Sequence, residues 1–290
     1  MAKRIVLFLI TNLAVVLTLS IVLSVLGVGR YVGPEGLDIG ALATFCFVWG
    51  MGGAFISLQL SRWMAKRATG VRLVDGRTGY EELDWLYMTV ERLTRQANLP
   101  MPEVGIYDSP EVNAFATGPS KSRSLVAVSS GLLRAMRRDE VEGVLAHEVA
   151  HIANGDMVTM TLLQGVMNAF VMFIARVVAY AMSSRDDRSN APSYMVIFLL
   201  EIVLGILGSM VTAWFSRQRE FRADYGGASL AGREKMIGAL QRLASNREMV
   251  DTSQQALATM KINGARNWMV FFSTHPPLEQ RIEALQRARL

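Results

Sequence analysis

The sequence predicts a mainly α membrane protein: four transmembrane helices, plus a cytoplasmic domain with a small β-sheet built around one histidine-bearing helix. Three observations predict it. The chain is 51% apolar with a mean hydropathy of +0.26, high for a soluble protein. Its uncharged runs come in two pairs, the first followed by arginine and lysine and the second by arginines. Two of its three histidines sit four residues apart in the polar stretch between those pairs. The net charge of +5 raises nucleic acid as a partner, but the basic residues flank apolar runs, so a cytoplasmic membrane face and a lipid bilayer are the simpler reading. The single cysteine, Cys46, lies in an apolar run, which excludes an intrachain disulfide and argues against a thiolate metal site.

Residues 1–61 form the first membrane hairpin. Residues 5–29 carry no charge, and at 1.5 Å per residue they exceed the roughly 30 Å hydrocarbon core. Nothing after this run resembles a small-residue cleavage site, so it is read as retained. Residues 39–61 form a second uncharged run, followed by Arg62, Lys66, Arg67, Arg72 and Arg77. By the positive-inside rule, the N-terminus and the chain after residue 61 face the cytoplasm.

Residues 62–156 form the first part of the cytoplasmic domain. Residues 78–98 read as a helix with a capping box of Thr78 and Glu81 and an apolar stripe of Leu83, Leu86, Val90 and Leu93. Three short β-like pieces follow, at 104–107, 113–117 and 125–128. Gly118-Pro119-Ser120-Lys121 reads as the turn between the last two. An edge strand here can hold an extended peptide, or the sheet can be ordinary scaffold.

The next helix contains His147-Glu148-x-x-His151. Asp139 and Glu142 read as its capping box and Asn154-Gly155 as its stop. At i, i+4 the two imidazoles lie about 40° apart on one face, one turn above the other, so both reach one metal ion. Glu148 is swung about 100° from His147, close to the metal but off its axis. That is where a zinc hydrolase needs a general base. The bland alternative, two unrelated surface or core histidines, is weakened by the apolar stripe beside them: Val141, Val144, Leu145, Val149 and Ile152.

Residues 157–216 form the second membrane hairpin, and Arg217, Arg219 and Arg222 after it place the chain in the cytoplasm again. Arg176 and Glu201 interrupt these runs, each about 12–14 Å from the outer loop. They read as a structural pair locking the third helix to the fourth, with a polar group on a substrate path as the alternative. Residues 217–290 complete the cytoplasmic domain. Residues 230–245 and 276–290 read as amphipathic helices, and residues 246–267 as a loop.

Catalytic zinc takes three protein ligands as a rule. His275 is one candidate for the third. Glu220 is the other, and Asp224 shares its helix face, so one carboxylate can bind metal while the other orients a histidine. Glu142 and Asp156 are poorer candidates, the first as a cap, the second as a residue beyond the helix stop. By spacing, the ligands sit within about 9 Å and 6 Å of membrane-helix roots, so the metal is expected at the cytoplasmic membrane surface.

The Glu220–Asp224 pair behind His147-Glu148-x-x-His151 resembles the gluzincin arrangement. With Asn113-Ala114-Phe115-Ala116-Thr117-Gly118, Asn154-Gly155-Asp156 and Thr274-His275-Pro276-Pro277, the whole chain resembles the HtpX family of bacterial membrane heat-shock metalloproteases, relatives of the CAAX prenyl proteases. The resemblance implies one Zn2+ per chain on His147, His151 and Glu220, with Glu148 as general base. It implies roles at or beside the site for Asp224, His275 and Arg281. His275 is a candidate to stabilise an oxyanion, or a plain helix-start residue. Arg281 is equally readable as a surface residue. Asn113, Ala114 and Phe115 are the candidate substrate-binding residues. The implied substrates are unfolded or damaged membrane proteins, cut on the cytoplasmic side of the inner membrane. No Walker A motif is present, so unfolding work falls to a partner, and the resemblance points to the ATP-dependent protease FtsH. A polytopic transporter and a non-catalytic zinc-stabilised scaffold are the competing readings. Sparse intramembrane charge argues against the first, and Glu148 against the second.

Overall fold

A computed structural model describes residues 15–25, 31–33, 36–183, 194–253 and 273–289. In chain order the helices are α1 (Val15–Val25), α2 (Ile39–Thr69), α3 (Glu81–Gln96), α4 (Ser130–Ala135), α5 (Arg138–Asn154), α6 (Asp156–Met182), α7 (Tyr194–Ala231), α8 (Arg233–Ser253) and α9 (Leu278–Arg287). The strands are β1 (Val32–Gly33), β2 (Gly36–Leu37), β3 (Arg72–Val74), β4 (Glu103–Tyr107), β5 (Ala114–Thr117) and β6 (Leu125–Ser129). The chain divides into two units, Met1–Gln59 with Thr159–Thr212, and Leu60–Val158 with Ala213–Leu290.

In the first unit, the helices reflect long apolar runs without a proline, broken by charge only at Arg176 and Glu201 among the described residues. Three described helices, α2, α6 and α7, are long and apolar enough to cross a membrane. The first predicted span is described only as the shorter apolar α1, and the rest of residues 5–29 lies outside the described residues. Lipid offers no hydrophobic drive for helix pairing, so close packing of small residues has to supply it. Gly50 and Gly165 do so. A Cβ on Gly50 would lie 2.5 Å from the Ala169 nitrogen and 2.7 Å from the Gly165 carbonyl, and one on Gly165 would lie 3.1 Å from Ala54 Cβ. Arg176 and Glu201 pair as the structural reading expects: Nη1 of Arg176 donates to Glu201 Oε1 at 2.6 Å and to the Met172 carbonyl at 3.0 Å. The guanidinium lies over the Phe45 ring at 5.4 Å.

Two helices outrun their apolar runs. α2 continues past Ser61 through Arg62, Lys66 and Arg67, and α7 continues past Phe215 to Ala231. Charge ends an apolar run but does not break a helix. What stops these two is a left-handed residue, Gly70 (φ 71°) after α2 and Gly232 (φ 97°) after α7.

The second unit holds a four-stranded sheet in the order β3-β4-β6-β5. β4 and β6 are parallel, and the outer pairs are antiparallel. β6 is central, and all five of its residues are buried. Val126 and Val128 point into the core formed with α3 and α5, including Leu86, Val90, Leu93, Val144, Leu145, Val149 and Ile152. Leu125 and Ala127 point the other way, against Tyr107, Ala65 and Phe115. Burying each such Leu or Val contributes about 1.5–3 kcal/mol, far above the few tenths from an exposed pair such as Glu91–Arg95. α8 lies against α5 where Gly143 sits, since a Cβ there would be 2.5 Å from the Lys235 carbonyl. α8 and α9 share a smaller core of Met236, Leu240 and Leu285.

Several local expectations are corrected. The Thr78–Glu81 capping box does not form: α3 starts after Tyr80 without a side-chain cap, and it is Asp84 that accepts from the Thr78 N–H and hydroxyl, each at 2.8 Å. Glu81 instead pairs with Arg138. The capping box of α5 sits two residues earlier than read: Glu140 accepts the Arg137 N–H at 2.7 Å. Glu142 is therefore no cap, and it pairs with Arg92 and Lys235. Residues 246–253, read as loop, continue α8, and residues 254–267 lie outside the described residues. β3 was not foreseen, because three residues are too few for an alternation signal.

Gly50→Ala is expected to destabilise the first unit by about 1–3 kcal/mol through overpacking. It should lower the thermal midpoint in detergent by several degrees. Gly53→Ala, where a Cβ meets nothing within 4 Å, should leave the midpoint unchanged.

Candidate metal centre

α5 holds its two histidines at the end of a rigid, buried helix. Gly155 closes it in the left-handed conformation (φ 70°), with its N–H bonded back to the His151 and Ile152 carbonyls. The turn lets Asp156, already the first residue of α6, fold back on the helix it has just left. Asp156 Oδ2 takes His151 Nδ1 at 2.6 Å. His147 Nδ1 meets Asp224 Oδ1, on α7, at 2.9 Å. Both rings are thus held by a carboxylate at Nδ1. Their Nε2 atoms face each other at 3.0 Å, with the ring planes at 83°.

Glu220 closes the third side. Its Oε2 lies 3.5 Å from His147 Nε2 and its Oε1 lies 3.5 Å from His151 Nε2. α7 can come this near because of Gly226 and Gly227. A Cβ on the first would be 2.9 Å from Ala150 Cβ, and on the second 3.0 Å from the His147 nitrogen. Arg281, from α9, gives Asp224 a two-pronged bond, Nε at 2.7 Å and Nη2 at 2.5 Å. It is buried, so the surface reading of Arg281 does not hold. His275 is 62% exposed and sets Nδ1 2.9 Å from Glu220 Oε2. It touches the carboxylate and lies outside the His147–His151–Glu220 cluster.

The chemistry of this donor set fits a metal ion. If each Nδ1–H is donated to its aspartate, each Nε2 keeps a bare lone pair, and two bare nitrogens at 3.0 Å repel. Glu220 Oε1 is buried and has no hydrogen-bond partner. An unsatisfied buried carboxylate oxygen is costly. A single cation among the three groups, whose ligand atoms all lie within 4.8 Å of one another, answers both problems. Two imidazoles and a carboxylate suit zinc. Without metal, a proton takes the cation's place. Burial opposes charge on His151, yet its bond to Asp156 and the nearby Glu220 carboxylate win and raise its pKa to about 9. His147 is raised too, against burial, by Asp224 and Glu220.

Glu148 is half-buried and makes no hydrogen bond among the described residues. Asn113, Ala114 and Phe115 stand at the start of β5, the edge strand, and α5 packs against that strand. Asn113 is bonded to Ser129 on β6. By antiparallel alternation, Phe115 and Thr117 also face β6, so the N–H and C=O groups of Ala114 and Ala116 point to the open edge. The sequence reading missed the part played by Asp156. A signal was present: a carboxylate directly behind a glycine helix stop.

An HExxH helix facing a glutamate from a second helix defines a metallopeptidase centre on a mainly helical, membrane-capable chain. Residues 81–289 match Peptidase family M48. The chain is 54% identical to Protease HtpX of Aeromonas salmonicida (strain A449), over 98% of this chain and 99% of that one. It is 54% identical to the Protease HtpX homolog of Paracidovorax citrulli (strain AAC00-1), over 99% of each chain. The crystal structure of S. mikatae Ste24p has a similar fold, with a TM-score of 0.62 at 18% identity. That likeness covers 98% of this chain, which spans 66% of the Ste24p chain. The chain belongs to peptidase family M48 and, within it, to the HtpX proteases. The matches do not favour a transporter or a non-catalytic scaffold.

Asp156→Ala should cost about 10–100-fold in zinc affinity, because it frees the His151 ring. In the unaltered protein, zinc must displace the His151 proton, so affinity should fall as pH drops below about 9. Competition against a chromophoric chelator measures both. An affinity independent of pH between 6 and 9 would contradict the assigned proton.

Proposed function

We propose that this chain is a zinc-dependent, membrane-integrated endopeptidase that cuts misfolded or damaged membrane proteins on the cytoplasmic side of the bacterial inner membrane. The observation that carries the reading is the convergence of His147 Nε2, His151 Nε2 and the Glu220 carboxylate on one point. These three hold the ion, one per chain. Zinc, when bound, lowers the pKa of a coordinated water to about 7 and polarises a carbonyl.

The chain's own groups do the rest. Asp156 and Asp224 keep both ligand rings oriented with Nε2 inward. Arg281 holds Asp224, and through it His147. Glu148, whose carboxylate is free of other bonds among the described residues, takes the proton of the attacking water and returns it to the leaving amine. His275 uses Nδ1 on Glu220, which leaves Nε2 to donate to the developing oxyanion. The open N–H and C=O groups of Ala114 and Ala116 pair with an extended substrate, with Asn113 and Phe115 beside it. Such pairing needs an unfolded segment, consistent with damaged substrates and with a partner that unfolds them; the HtpX resemblance points to FtsH. Three long apolar helices, with Arg62, Lys66 and Arg67 after the run of α2 and Arg217, Arg219 and Arg222 after that of α7, support the cytoplasmic orientation.

Cleavage of an unfolded protein and of a membrane protein by purified wild type, Glu148→Gln and Glu220→Ala, with zinc assayed on each, tests the reading. Glu148→Gln should keep zinc and lose about 10²–10⁴-fold in rate. Glu220→Ala should lose zinc. Wild-type rates from Glu148→Gln would overturn the mechanism.

A further inference from the structure

Glu148 aside, which is kept free as the base, the charged groups around the metal cluster are committed to one another among the described residues, with one exception. Asp156 holds His151, Asp224 holds His147 and Arg281, and Glu220 is met by His275. The partly buried arginines of the same unit are anchored as well. Arg242 gives two nitrogens to the Ala135 carbonyl at 2.9 and 2.7 Å, and Arg217 donates to the Ser273 carbonyl at 2.8 Å.

Arg219 is different. It directly precedes Glu220, and its side chain is only 24% exposed. Its Nε is buried without a hydrogen-bond partner. That atom lies 3.6 Å from Glu220 Oε1, an ion-pair distance but beyond a hydrogen bond. The two terminal nitrogens have no partner among the described residues. A brace for Glu220 would be bonded to it, and Glu220 already has His275 Nδ1 at 2.9 Å. Glu220 Oε1 is 3.5 Å from His151 Nε2, so the idle guanidinium borders the metal-facing atoms themselves.

A mostly buried guanidinium whose donors are unused among the described residues matches a carboxylate in both charge and geometry. We infer that Arg219 reads a carboxylate of the substrate, giving the site a preference for an acidic side chain close to the scissile bond. The inference rests on the endopeptidase reading and names the substrate feature that this site selects.

The test uses flexible peptides carrying one Glu, or Gln in its place, scanned across the positions flanking the cleaved bond. Cleavage is measured with the zinc-loaded wild type, and binding with zinc-loaded Glu148→Gln. At one position, Glu should be preferred over Gln by about tenfold, the worth of a charge-assisted pair. The preference should collapse toward unity in Arg219→Gln and survive in part in Arg219→Lys, with zinc content unchanged. A purely structural Arg219 would not move this ratio. Equal treatment of Glu and Gln by the wild type at every position, or a preference that persists in Arg219→Gln, overturns the proposal. Glu preference in binding without any cleavage by the wild type would uphold Arg219 and instead sink the peptidase reading.

Discussion

Two imidazole nitrogens face each other at 3.0 Å, each with its ring's other nitrogen already given to an aspartate. The second unit is arranged around this otherwise repulsive contact. It is tolerable only with a cation or a proton between the rings. The fold holds the rings where a cation is the better answer, since Glu220 adds a carboxylate on the same point. Much of the local architecture serves to keep three side chains from relaxing away from one another.

The supports come from distant parts of the chain. α5 is fixed by the sheet and α3 through buried aliphatic contacts, which carry most of the energy. α7 reaches it through Gly226 and Gly227, where any side chain would push Glu220 and Asp224 out of range. α9 adds Arg281, whose two-pronged hold on Asp224 sets the His147 ring at one remove. A buried arginine–aspartate pair of this kind contributes little net stability by itself. Its worth is in geometry, because an imidazole free to turn about its Cβ would present the wrong nitrogen.

How much of this was legible in the sequence depends on how local each feature is. The two histidines share a face because helical spacing alone puts them there, and the apolar stripe beside them could be read the same way. Gly155 was legible as a stop. Its consequence was not, because a left-handed turn redirects the next residue, and Asp156 was set aside for lying past the helix end. Spacing left Glu220 and His275 as rival third ligands, and only family resemblance separated them; the fold puts His275 on Glu220, outside the cluster. Hydropathy located the apolar runs but not the ends of α2 and α7, since a helix ignores the arrival of charge and stops at a glycine. The caps of α3 and α5 were misassigned because neighbouring acids look alike in sequence, and backbone geometry decides which of them bonds back to the preceding turn.

The most direct measurement is X-ray absorption at the zinc edge of the purified, zinc-loaded protein. The account predicts a shell of nitrogen and oxygen with the scattering pattern of two imidazoles, and no sulfur. In Glu220→Gln the oxygen contribution should weaken while the two imidazoles remain. Three imidazoles in the unaltered protein would make His275 a ligand and contradict the assignment of Glu220, and with it the arrangement on which the rest of the site is built.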